Sequence, residues 1–185
     1  MHGAGEFPWA TIAKLTYYCR CMVSAMTIAN QFIERAKRDG VSLTNMQLQK
    51  LVYIAHGWAL ALLDHGLIYE PVEAWQWGPV IPSLYHSLSQ YGSGEVTSPI
   101  PISGARKINP ADDALLESVW KSYGRMSGLT LSAITHRENT PWSRTVKHFG
   151  LRSVIPESYI RDYYRQLYDE QIRKKREQGN PQPAS

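Results

Sequence analysis

The sequence predicts a mainly α protein: a compact single-domain helical bundle around a central apolar helix at about 45–64, with a small β-hairpin element at about 67–77. Three observations carry that expectation. The stretch from Leu51 to Leu63 is apolar on nearly every side, and a helix that is apolar all round is buried all round. Apolar residues recur at spacings of three and four before and after it. Between Leu67 and Trp77, aromatic and β-branched residues crowd two short runs around Glu70-Pro71, which reads as a strand pair.

A first helix is expected from Ala25 to about Asp39. Ser24 stands at the N-cap, Ile28, Phe32, Ile33 and Ala36 make one stripe, and Gly40 marks the stop. The central helix starts at a capping box, Thr44-x-x-Gln47. It is expected to run from Asn45 to about Asp64, with Gly66 beyond its end. Leu67-Ile68-Tyr69 and Val72 to Trp77 are the expected strands. Pro82 can open a short helix whose apolar residues are Leu84, Leu88 and Tyr91, stopped at Gly92. A Gly/Ser/Pro-rich loop follows. Asn109-Pro110 opens another helix, with Asp112 and Asp113 at its positive end. Shorter helices are expected at Leu129 to Thr135 and from Thr140-Pro141 to about His148. The last helix starts near Pro156, with Tyr159, Ile160, Tyr163, Tyr164 and Leu167 as its stripe.

Residues 1–21 match no period and are expected to be an extension outside the fold. The domain is expected over 22–172, followed at 173–185 by a basic and then disordered tail. The net charge of +4 equals the four charges of Arg173-Lys174-Lys175-Arg176. The rest of the chain is therefore formally neutral, and the run itself reads as a solvated helix end or tail, with nucleic-acid contact as the alternative. No apolar stretch reaches the ~20 residues of a membrane helix. Cys19 and Cys21 are too close together for a zinc knuckle. These features point to a cytoplasmic protein with no membrane, metal or cofactor requirement.

Catalytic signatures are missing. The sequence has no His-Glu-x-x-His, no nucleophile elbow and no glycine fingerprint with its βαβ context. His56, amid apolar residues of the central helix, reads as a hydrogen-bonded core histidine. The helices at 25–39 and 45–64 could mimic a helix-turn-helix, but the second carries polar residues only in its first turn.

The most distinctive stretch is EAWQWGPVIPSLYHSLSQYG, residues 73–92. In a strand, Glu73, Trp75 and Trp77 share one face. Two readings follow. Either that face packs on the central helix, with both tryptophans in the core and Glu73 paired to a buried partner such as His56, or one ring stays exposed beside Gly78-Pro79 as an anchor for another protein.

LTNMQLQKLVYIAHGWALAL, EPVEAWQWGPVIPSLYHSLSQYG, LSAITHRENTPW and IPESYIRDYY occur in this order across about residues 24–168. Together they closely resemble the Panacea antitoxin domain, the family of SocA-like and phage-associated GepA-like proteins. Within these motifs fall His56, Trp58, Glu73, Gly78 and Pro79 as structural positions. The resemblance implies a non-enzymatic antitoxin that neutralises a protein toxin encoded beside it, often on a prophage. One branch of the family resembles a proteolytic adaptor that delivers its toxin to a bacterial AAA+ protease. The expected toxin-binding residues are Trp75, Trp77, Tyr85 and Tyr91, with His136 and Trp142 as a second cluster. A DNA-binding regulator of its own operon is the alternative.

Overall fold

The computed structural model describes residues 22–104 and 107–179. Helix starts fall where capping side chains stand. Ser24 Oγ accepts the Thr27 N–H at 3.2 Å and begins α1, Ala25–Arg38. Thr44 and Gln47 form the reciprocal capping box that begins α2, Asn45–Leu62. The hairpin follows as β1, Glu73–Trp75, and β2, Gly78–Val80. Then come α3, Pro82–Ser87, with a 3₁₀ turn at Ser89–Tyr91, and α4, Pro110–Tyr123, capped by Asn109. The last three helices are α5, Gly128–Thr135, α6, Pro141–Phe149, and α7, Glu157–Gly179. The protein is thus mainly α with one small antiparallel hairpin, as the sequence predicts. The proposed extension at 1–21, with both cysteines, and the tail past Gly179 lie outside the described residues. The basic run Arg173–Arg176 lies within α7, exposed.

Helix α2 is the post around which the bundle packs. Leu48, Leu51, Val52, Tyr53, Ile54, Ala55, Trp58, Ala59 and Leu60 are all buried. Helix α7 covers it most extensively, and α4, α1, α5 and β2 close the other sides. The closest approach is at Gly57, where hydrogen in place of a Cβ lets the Tyr164 ring lie on the backbone of α2. Trp58 meets the same ring edge-on, with centroids 5.1 Å apart. Across the bundle, buried Arg35 of α1 reaches Asp113 Oδ1 at 2.6 Å and Glu117 Oε2 at 3.1 Å on α4.

The hairpin sits at 73–80, one step later than expected. Glu73 pairs with Val80 and Trp75 with Gly78, so Gln76 and Trp77 form the turn. Gly78 makes this possible, since its φ of +105° is a conformation that side-chain-bearing residues avoid. The predicted strand at Leu67-Ile68-Tyr69 is not one; Ile68 makes only an isolated bridge to Val23. Buried His56 explains the difference. Its Nδ1 accepts the Leu67 N–H at 3.2 Å and faces the Ile68 N–H at 3.5 Å. That bonding folds the segment back over the end of α2.

His56 is thereby held as a neutral acceptor. Burial, with Arg161 and His65 nearby, pushes it down to about 4. The unfolded chain takes up this proton near pH 6.5, so stability present above that pH is lost as pH falls towards 4. The expected loss is about 2–3 kcal/mol. Urea unfolding at pH 7 and pH 4.5 should show it in the native chain and not in His56→Gln. Equal pH dependence in both would refute the assignment. Comparing the two chains also removes the contribution of His65, which Asp112 shifts the opposite way.

Candidate functional site

The turn of the hairpin is held from behind by side chains that grip its main chain. Trp142 of α6 donates its indole N–H to the Trp75 carbonyl at 2.8 Å. Lys50 of α2 donates to the carbonyls of Trp77 at 2.8 Å and Pro79 at 3.0 Å. Ser132 of α5 adds a second bond to the Trp77 carbonyl at 3.1 Å. His136, just after α5, places Nε2 3.2 Å from the Gln76 carbonyl, and its ring packs on Trp142 with centroids 4.1 Å apart. Gly78 is required here a second time, because a Cβ would stand 2.7 Å from Lys50 Nζ. Gln49 completes the frame by accepting the Ile81 N–H at 2.9 Å. The open edge of β1 is covered too, by backbone bonds between Ala74 and residues 152 and 153.

What this frame presents is Trp77, 64% exposed. Trp75 lies beside it, half-buried, its N–H bonded to Glu73 Oε2 at 2.8 Å and its ring 5.2 Å from that of Tyr85. The reading that put both tryptophans in the core with Glu73 on His56 therefore fails. Ala74 is the β1 residue that faces the core, fully buried, while Glu73 bonds its own neighbour. Trp77 leaves the strand face because it belongs to the turn.

Next to Trp77 opens a largely apolar groove of about 660 Å³. It is lined by the first residues of α2, Thr44 to Met46, and by Ser127 to Leu129 at the start of α5, two segments that meet where Met46 packs on Gly128. Trp75, Trp77, Val80 and Tyr85 also line it, as do Leu151 and Arg152. Leu129 and Leu151 are exposed, at 75% and 52%. Tyr91 does not line the groove; it packs against the core, its hydroxyl 2.8 Å from Ser98 Oγ. Of the expected contact residues, Trp75, Trp77 and Tyr85 come together at the groove, and His136 and Trp142 stand behind the same turn.

Lys50, Ser132 and the groove residues of α5 were missed in the sequence. Only Lys50 left a signal there: a lone charge at the start of an apolar run. It is 1% exposed and, among the described residues, has no carboxylate partner. Burial pushes its ammonium down to about 7. A neutral amine keeps two N–H donors, so both carbonyl bonds survive loss of the proton. The unfolded chain stays protonated to about pH 10. It therefore holds more protons than the native state above pH 7, and stability should rise with pH there. Between pH 7 and 9 the native chain should gain about 2 kcal/mol relative to Lys50→Met in urea unfolding. A pH-independent difference would overturn this.

Among the described residues, no three His, Cys, Asp or Glu side chains group as a metal site, and no helix is long and apolar enough to cross a membrane. Helix α2, the second helix of any helix-turn-helix reading, is buried from Leu48 to Ala61. It has no free face to lay in a DNA groove.

By class, this is a small mainly α domain that displays a braced aromatic turn beside an apolar groove. The chain belongs to the family described as antitoxin SocA-like, Panacea domain, whose model matches residues 48–143. That segment contains Lys50, the whole hairpin, Ser132, His136 and Trp142. Antitoxin SocA of Caulobacter vibrioides (strain NA1000 / CB15N) is 31% identical over 156 residues, covering 77% of this chain and 83% of that protein. No solved structure matches.

Proposed function

We propose that this chain is a cytoplasmic, non-enzymatic antitoxin that neutralises a protein toxin by direct binding, with the Trp77 turn and its groove as the contact surface. Family membership and the relative's name support the antitoxin role. The observation that carries the contact surface is the exposed indole of Trp77 on a turn whose main chain is already fixed. Tryptophans dominate binding hot spots, and a pre-ordered turn loses little entropy when a partner covers it. Trp75 and Tyr85 extend the contact. His136 and Trp142 serve it from behind by holding the turn.

Co-expression with the product of the adjacent reading frame tests this. The expected result is growth arrest by that product alone, rescue by this chain, and a complex that co-purifies. A harmless neighbour, or toxicity unrelieved by this chain, refutes the reading. Delivery to an AAA+ protease is a finer form of the same function. It requires the toxin's half-life to fall in the presence of this chain and to recover when the protease is deleted.

A further inference from the structure

We propose that the groove beside Trp77 takes an acidic segment of the neutralised protein, one carboxylate flanked by large apolar side chains. The carboxylate would meet the cationic groups of Lys50 and Arg152, and the apolar side chains would lie between Trp77 and Leu129. This inference rests on the antitoxin reading and names the chemistry of the partner.

Charge complementarity carries it. Lys50 and Arg152, which line the groove, are both basic, and among the described residues no carboxylate lines it. The acidic residues next to it in sequence, Glu73 and Glu95, do not line it. Glu73 is turned onto the Trp75 indole. Two of the three helices that line the groove, α2 and α5, bring their N-terminal residues to it, the positive ends of their dipoles. Lys50 is the independent observation. Two of its three ammonium donors are taken by the hairpin carbonyls, and no carboxylate neutralises it within the described chain. Without a counter-ion, burial favours the neutral amine, and a partner's carboxylate in the groove would hold the proton on. Arg152, exposed and 5.5 Å over the Trp75 ring, places a second positive charge at the rim.

The volume fits a few residues of extended peptide. It exceeds one side chain and falls within the usual range of roughly 300–1,000 Å³ for binding pockets. Nucleic acid fits less well. Tracking a phosphate backbone requires a row of cations, whereas this groove has one buried and one rim cation. The basic run Arg173–Arg176 lies in α7, which contributes nothing to the groove.

The test is to pan a display library of random dodecapeptides against the full chain, discarding peptides that also bind Trp77→Ala. Selected peptides should carry Asp or Glu close to Leu, Phe or Trp. Replacing that acid by its amide should weaken binding about tenfold at low salt, and Arg152→Glu in the chain should do the same. Arg152→Glu removes an exposed charge and keeps the test valid if Lys50→Met fails to fold. Enrichment of basic or uncharged peptides, or no enrichment, overturns the proposal. So does a DNA or RNA oligonucleotide that displaces the peptides at lower concentration. The two readings fail separately. Rescue in co-expression without acidic selection removes only the charge preference. Acidic selection by a chain that rescues nothing removes the antitoxin role.

Discussion

Gly57→Ala is expected to destabilise the protein by roughly 3 kcal/mol, although alanine is the better helix former. A Cβ at this position would overlap the Tyr164 ring, well inside van der Waals contact with Cε2, Cδ2 and Cζ. That ring cannot simply rotate away. It is buried and also contacts Tyr53 and Trp58 edge-on, with centroids 6.2 and 5.1 Å distant. The added methyl must push α7 off α2, and that is the most extensive helix contact in the fold. Overpacking of this kind usually outweighs the ~1 kcal/mol that Gly→Ala yields in a helix interior. Urea unfolding of both proteins measures the difference. A variant as stable as the parent would show that α7 gives way freely.

Trp77→Ala should do the reverse: leave the fold intact and abolish neutralisation. The indole is 64% exposed, so its removal should alter stability by less than about 0.5 kcal/mol. The braces grip the carbonyls of residues 75 to 77 and 79 and not this side chain, so the turn keeps its shape. A central tryptophan hot spot contributes about 2–4 kcal/mol, so affinity for the toxin should fall roughly thirty- to a thousandfold. Calorimetry on the purified complex, beside thermal melts of the free chains, separates the two effects. Undiminished neutralisation by a folded Trp77→Ala chain would place the toxin-binding surface elsewhere.

The helices were legible because their determinants are local. Ser24, Thr44, Asn109 and Thr140 cap the turns that follow them, and all-round apolarity identifies α2 without reference to anything distant. The hairpin register was not legible. A period of two put Trp75 and Trp77 on one face, but the turn at 76 and 77 breaks that period. The groups that fix the turn come from as far as 67 residues away. Gly78-Pro79 was the available cue, a glycine able to take positive φ at the end of a turn. The groove was less legible still. Its walls join the starts of two helices to a loop at 151–152, and nothing in any one of those segments announces the others.

A frame that holds peptide oxygens is indifferent to which side chains ride on the residues it holds. Gln76 and Trp77 are exposed and Lys50, Ser132, His136 and Trp142 bond only the backbone there. Substitution at these two positions is therefore nearly free of folding consequence. The turn works as a chuck with an exchangeable bit: the side chains at its tip can be replaced while the body that grips it stays the same.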